Sequence, residues 1–303
     1  MSTEQRLIDK YFRRDNSPDD VVAGIGDDAA VLRPAPGNEL VAAVDTLAEA
    51  VHFPRGLASR FVGWRALAVN LSDLAAMGAE PSWALLSLSV PAADESWFSG
   101  FASGFFRLAE EYDVALVGGD TVRGPLSISV TVLGQVPAGV ALTRSGARPG
   151  DRLFVSGNPG AAALGLQSLQ GLAGNERYQP AFLQPHPRIA LGRALRGLAS
   201  AVIDISDGLG MDCKRLADAS GVAIDIDPER LAGVAAAGDV ANALSGGDDY
   251  ELAFTVPAAQ RSKLPAQFAA VEIGEVCHGR GVNMPGFDDP GLSGYDHFRN
   301  EDT

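Results

Sequence analysis

Apolar residues recur at helix and strand spacings along most of the chain. Leu7, Ile8, Tyr11 and Phe12 fall at i, i+1, i+4 and i+5, which predicts a short amphipathic helix over 4–14. Val21–Val22 is followed by a turn-like run, 24–28 (GIGDD), and strands are expected over 29–32 and 40–44. Residues 57–77 (LASRFVGWRALAVNLSDLAAM) keep helical periodicity throughout. A strand at 84–90 precedes a helix at 94–112, where Asp94 and Glu95 suit the positive end of the helix dipole. A short buried strand at 114–117 stops at Gly118-Gly119-Asp120-Thr121, and 127–136 alternates as another strand. Beyond 143–151 (TRSGARPGD), strands are expected at 152–156, 201–205, 222–227, 251–256 and 271–276. Helices are expected at 161–172, 187–198 and 209–219, and the Gly- and Pro-rich tail after Gly281 is read as a loop.

Helices and strands do not alternate strictly, so the fold class is α+β rather than a doubly wound parallel sheet. The chain of 303 residues is long enough for two cores. The polar, Gly- and Pro-containing run at 143–151 sets the expected boundary: an N-terminal domain over 1–142 and a C-terminal domain over 143–303.

Charge narrows the partners. A net charge of -14 repels nucleic-acid phosphates and anionic lipid, so neither is expected as a partner. An anionic substrate would then need cations between it and the protein. Cys213 and Cys277 have no metal-binding spacing and read as two reduced thiols. No apolar run reaches the roughly 18 residues of a membrane span, and the first residues lack a signal-peptide core. A cytoplasmic protein is expected. There is no GxxxxGK[ST] loop and no protein-kinase signature set.

The informative pattern is aspartate beside glycine at the ends of apolar runs. Asp27 and Asp28 follow Gly26; Asp45 follows LVAAV; Asp73 sits in NLSDLAAMG; Asp120 follows Gly118-Gly119. Asp204 and Asp207 bracket Ile205-Ser206, and Asp248 and Asp249 follow Gly246-Gly247. Any one of these reads equally well as a turn or a cap. Gathered in space, they would suit Mg²⁺, a hard ion that combines one or two carboxylates with phosphate oxygens and water. Two carboxylates about 4 Å apart repel by roughly 4 kcal/mol at an effective dielectric near 20, so such a set needs the cation.

The motifs GIGDDAAVL (24–32), VDTLAEAVHF (44–53), ALAVNLSDLAAMGAEP (66–81), GGDTVRGPLSISV (118–130), LTRSGARPGD (142–151), IDISDGL (203–209), LSGGDDYELAFTVP (244–257) and GYDHF (294–298) together resemble the thiamine-monophosphate kinases. These belong to the PurM-like superfamily of aminoimidazole ribonucleotide synthetase. The resemblance implies two α+β domains and a homodimer in which N-terminal strands of two subunits close a barrel. It also implies in-line phosphoryl transfer from ATP to thiamine monophosphate with several Mg²⁺ ions. By position, Asp28, Asp45, Asp73, Asp120, Asp204 and Asp207 resemble the metal ligands, with Asp27 acting through a neighbour. Gly118, Gly119, Asp120, Arg144 and Ser206 resemble the nucleotide contacts. His52, Asp248 and Tyr295 resemble the thiamine side, where a carboxylate and an aromatic face suit the cationic thiazolium. Outside the resemblance, His52 reads as a capping or part-buried histidine and Tyr295 as packing in a tail; the alternative for Arg144 is a surface arginine in a turn. No covalent nucleophile or general base is implied.

Four positions depart from the family pattern. Ala43 and Val44 stand where hydroxyl residues usually precede the aspartate, Asp248 where glutamate is usual, and Phe182 where a histidine is usual. Other readings remain. Selenophosphate synthetase would carry a reactive cysteine near the N-terminus, but none precedes Cys213 here. The related hydrogenase maturation protein would end in cysteine, whereas the residues here are Glu301-Asp302-Thr303. From another class, an idle nucleotide- or metal-binding protein that kept the fold is the alternative; turnover separates it from the kinase.

Overall fold

The computed structural model describes residues 2–14, 18–292 and 294–295. The chain forms two compact units, one of residues up to Leu74 with Ala79–Gly139, the other of Ala75–Gly78 with Val140 onward.

The first unit runs α1 (Thr3–Tyr11), β1 (Val21–Ala23), β2 (Val31–Leu32), β3 (Asn38–Ala48), α2 (Ser59–Ala76), β4 (Glu80–Val90), α3 (Glu95–Glu111), β5 (Ala115–Arg123) and β6 (Ser127–Pro137). β1 and β2 form a small ribbon, and the other strands form a sheet in the order β3-β6-β4-β5. Alternation sets its faces. Ile128, Val130 and Val132 of β6 and Leu86 and Leu88 of β4 are buried, whereas Ser87 between them is exposed. α2 is apolar nearly all round, with Val62, Leu67, Leu71 and Leu74 fully buried, as a helix inside a core must be. α3 starts on Asp94, whose carboxylate caps Ser96 and Trp97 N–H. α1 docks on it through Phe12 against Phe98 and Phe101.

The second unit runs β7 (Asp151–Val155), α4 (Ala161–Leu169), α5 (Gln179–Leu183), α6 (Ile189–Ala194), β8 (Ala201–Ile205), α7 (Leu209–Ser220), β9 (Ala223–Ile226), α8 (Pro228–Val234), α9 (Val240–Ser245), β10 (Glu251–Pro257), β11 (Val271–Cys277) and β12 (Gly281–Asn283). Its sheet has the order β12-β9-β11-β7-β10-β8 and is antiparallel except at β12-β9. One face carries Leu153, Val155, Ile203, Ile205 and Ala253 into a core with Leu209, Cys213 and Leu216 of α7. On the other face Phe154 and Phe254 stack at 5.6 Å.

Several expected bounds shift. The strand expected at 29–32 is only β2, and β3 continues past Asp45. β5 runs straight through Gly118-Gly119-Asp120, where a break was expected, because each residue pairs with β4. The helix expected at 187–198 is only α6, and the tail contributes β12. Among the described residues no helix is long and apolar enough to cross a membrane.

Candidate active site

β8 ends at Ile205, and the chain turns through Ser206, Asp207 and Gly208 into α7. Three separate sequence motifs meet at this turn. Ile205 C=O accepts Tyr250 N–H at 2.8 Å, Ser206 C=O accepts Asp248 N–H at 2.8 Å, and Asp207 C=O accepts Tyr295 N–H at 3.0 Å. Ser206, Asp207, Asp248 and Tyr295 are therefore assembled on one turn, with Asp204 behind it on β8, only 4% exposed. Gly294 and Tyr295 are the described part of the GYDHF motif; Asp296, His297 and Phe298 lie outside the described residues. Gly208 is required: its φ is +117°, and a Cβ there would sit 2.7 Å from Leu244 C=O.

The loop after Gly247 is held under strain. Asp248 and Tyr250 have φ of +70° and +52°, a region costing roughly 1–3 kcal/mol for residues with a Cβ. The hydrogen bonds to the turn hold it there, and Tyr250 Oη donates to Asp248 Oδ1 at 2.8 Å, orienting that carboxylate. Between them, Asp249 accepts Gly160 N–H at 2.6 Å and Ala162 N–H at 3.0 Å, at the start of α4. Burial pushes its carboxyl up to about 8 against the pull of those two donors.

A residue not singled out in the sequence underlies the turn. Asp212 is 1% exposed in the first turn of α7, and its Oδ2 accepts both Ser206 N–H and Asp207 N–H at 3.0 Å. Arg215 Nη1 lies 2.7 Å from Asp212 Oδ1 and 2.5 Å from Asp207 Oδ2. Burial, with the nearby charge of Asp204, pushes Asp212 up to about 7, while Arg215 pulls it down. The sequence signal was its position: Asp212 shares the buried face of α7 with Leu209, Cys213 and Leu216.

In the first unit, Asp45 lies on edge strand β3, paired with Val130 and on the same face of the sheet as that buried residue, but is itself exposed. Its N–H donates to Oδ1 of Asn70 at 2.8 Å, and Asn70 Nδ2 donates to Ala66 C=O at 2.9 Å. Asn70, fully buried on α2, thus ties β3 to the helix that carries Asp73 one turn later. Asn70 is a second position not singled out in the sequence; a buried amide in a largely apolar helix is its signal.

Asp120 stands elsewhere on the sheet. Thr46, Ser129, Ser87 and Asp120 form one cross-strand row through β3, β6, β4 and β5. Thr46 Oγ1 and Ser129 Oγ are 2.6 Å apart within it. Asp120 is therefore on the outer face at one edge, and Asp45 is on the inner face at the other edge. Three strand spacings separate them, about 14 Å. Gly119 beside Asp120 has φ +149°, and a Cβ would sit 1.8 Å from Leu86 C=O, so only glycine lets β5 approach β4 here.

The remaining predicted residues have these local settings. Asp28 is exposed, and its N–H donates to Asp27 Oδ1 at 2.9 Å. His52 Nδ1 accepts Ala48 N–H at 3.0 Å, which places the neutral ring's proton on Nε2. The Arg144 side chain is exposed and its carbonyl accepts Ser220 Oγ–H at 3.1 Å. Phe182 is fully buried. Among the described residues no three His, Cys, Asp or Glu side chains are gathered to hold a metal ion. A cavity of about 1150 Å³ along β9, β11 and β12 contains none of the predicted site residues.

Known proteins match this arrangement along nearly its whole length. Residues 26–136 match the N-terminal domain of the AIR synthase related proteins, and residues 148–285 match their C-terminal domain. The thiamine-monophosphate kinase of Salmonella typhimurium (strain LT2) is 42% identical over 320 positions, covering 97% of this chain and 98% of that protein. The crystal structure of thiamine-monophosphate kinase from Stenotrophomonas maltophilia K279a superposes with a TM-score of 0.82 at 43% identity, covering 93% of this chain and 95% of that one. A further structure, AaThiL complexed with AMPPCP and TMP, superposes with a TM-score of 0.79 at 34% identity, covering 88% and 89%.

Proposed function

Because this chain belongs to the thiamine-monophosphate kinase family, we propose that its own residues carry a direct, in-line transfer of the γ-phosphoryl group of ATP onto the phosphate of thiamine monophosphate. The overall reaction is ATP plus thiamine monophosphate giving ADP plus thiamine diphosphate. The observation that supports this reading best is the turn at Ser206–Asp207, where residues expected to bind nucleotide and metal meet residues expected to bind thiamine.

Mg²⁺ fits the donor set. Asp28, Asp45, Asp73, Asp120, Asp204 and Asp207 offer hard carboxylate oxygens. Such oxygens suit an ion that takes few protein ligands and completes its shell with phosphate and water. Bound there, the ions would supply positive charge to offset the phosphates and the charge that develops in the transition state. The chain's own groups do the rest. Gly118 and Gly119 let backbone approach the nucleotide, and Arg144 supplies a fork for phosphate oxygens. Asp248, aimed by Tyr250, opposes the thiazolium charge, with Tyr295 beside it on the same turn. His52 presents Nε2–H to the substrate. The accepting phosphate is already anionic near neutral pH, so no general base is required, and catalysis is positioning and charge neutralisation.

The working form in this reading is a homodimer whose N-terminal sheets close on each other. Leu40, Val44 and Val122, on the outer face of the sheet, are 52%, 61% and 48% exposed, apolar area that a second sheet would cover. Asp45 and Asp120 stand at opposite edges and faces, so a site using both draws one from each subunit. The reading places the enzyme in the cytoplasm, a compartment that suits its two free thiols. Purified chain with ATP, Mg²⁺ and thiamine monophosphate is expected to give thiamine diphosphate and ADP in equal amounts, and none once EDTA removes the metal. ATP consumption without thiamine diphosphate would refute this reading.

A further inference from the structure

We propose that Asp212 is a positioning residue for this reaction: buried beneath the Ser206–Asp207 turn, it sets the turn's geometry and shares Arg215 with Asp207. Two observations carry this. A single carboxylate oxygen accepts both amides of the turn, at 3.0 Å each, and the other oxygen holds Arg215 at 2.7 Å. Arg215 also reaches Asp207 at 2.5 Å, so its guanidinium is shared between the two carboxylates.

The arrangement has a chemical consequence. The turn's carbonyls are taken by Asp248 and Tyr295, so a shift of the turn moves the thiamine-facing residues with it. Reacting groups misplaced by about 1 Å can cost on the order of 100-fold in rate. Arg215 is also a resident cation at a carboxylate proposed to receive a metal. While Asp212 holds part of it, Asp207 keeps capacity for a second cation. Without the Asp212 charge, Arg215 pairs with Asp207 alone and competes with Mg²⁺ there. Lys214, the neighbouring cation on α7, is engaged at 2.5 Å by Asp218 and does not enter this balance.

The test compares Asp212→Ala and Asp212→Asn with wild type. Alanine removes the acceptor for both amides. Asparagine keeps one oxygen for them but discards the charge that holds Arg215. At saturating substrates, kcat per folded enzyme is expected to fall at least 100-fold in Asp212→Ala and about ten-fold in Asp212→Asn. In Asp212→Asn the Mg²⁺ concentration giving half of the thermal stabilisation by ATP is expected to rise at least three-fold. Adding Arg215→Gln to Asp212→Asn is expected to bring that midpoint back toward wild type. Should the alanine chain not fold, the asparagine chain and its double variant carry the test. Wild-type kcat per folded enzyme and an unmoved Mg²⁺ midpoint in Asp212→Asn, with only its melting temperature lowered, would make Asp212 a stability residue and overturn the proposal. The proposal rests on the phosphoryl-transfer reading, and the two fail separately: an inactive wild type sinks that reading, whereas this test compares variants with an active parent.

Discussion

Replacing Asn70 with alanine should unfasten Asp45 from its helix, and the cost follows from the contacts. Asn70 is fully buried; its Oδ1 accepts Asp45 N–H at 2.8 Å and its Nδ2 donates to Ala66 C=O at 2.9 Å. Two lost hydrogen bonds cost about 2 kcal/mol, and the partners left behind add about 1 kcal/mol. Alanine's better helix propensity returns at most about 0.7 kcal/mol, leaving a net loss of about 2–3 kcal/mol. The unit reports on itself, because the three tryptophans, Trp64, Trp83 and Trp97, all lie in it. With a urea slope near 2 kcal/mol/M, the fluorescence midpoint should fall by about 1–1.5 M. At a temperature where Asn70→Ala is folded, kcat should drop at least ten-fold, since Asp45 is no longer held in register with α2. A midpoint within about 0.2 M of wild type together with unchanged kcat would refute the claim that Asn70 places Asp45.

Three further outcomes are expected. Gly119→Ala should lose more than about 3 kcal/mol in the same urea experiment, because its Cβ would meet backbone at 1.8 Å, whereas Gly118→Ala, which meets only the flexible end of Leu85 at 3.1 Å, should cost under about 1 kcal/mol. The Cys277 thiol donates to Asp225 Oδ2 at 3.2 Å, and that bond holds its proton up to about 11; thiolate is therefore scarce at pH 8, so alkylation should run about 100-fold slower than for an ordinary thiol and rise ten-fold per pH unit toward 11, with Asp225→Asn restoring the ordinary rate, while buried Cys213 reacts only on unfolding. Asp45→Asn and Asp120→Asn should each abolish turnover in a folded chain, and co-expressing the two should recover about a quarter of wild-type activity if each site takes Asp45 from one subunit and Asp120 from its partner; no recovery in verified mixed dimers would put both in one subunit's site.

Much of this was legible before any coordinates, and the exceptions have physical causes. The 127–136 strand is legible because burial of one face enforces its alternation, and the 57–77 helix because a long, largely apolar run holds little to break a helix. The glycine pair before Asp120 reads as a turn locally, yet both glycines pair with β4, and close backbone approach is the reason for the second, Gly119. Helices α5, α8 and α9 are five to seven residues long, too short for periodicity to announce them. Ser206, Asp207, Asp248 and Tyr295 could be nominated singly by family motif, but their meeting rests on backbone hydrogen bonds between segments far apart in sequence. Asp212 and Asn70 were hidden for a related reason. Each serves a backbone N–H rather than a ligand, so no spacing marks it; only a polar group on an otherwise buried face gives it away.

The stereochemical course at phosphorus tests the central claim most directly. With ATP made chiral at the γ-phosphorus by oxygen isotopes, transfer between two anions held end to end should give thiamine diphosphate with inverted configuration. Retention would require a phosphorylated side chain between two transfers, and would contradict a site that works by positioning and charge neutralisation alone.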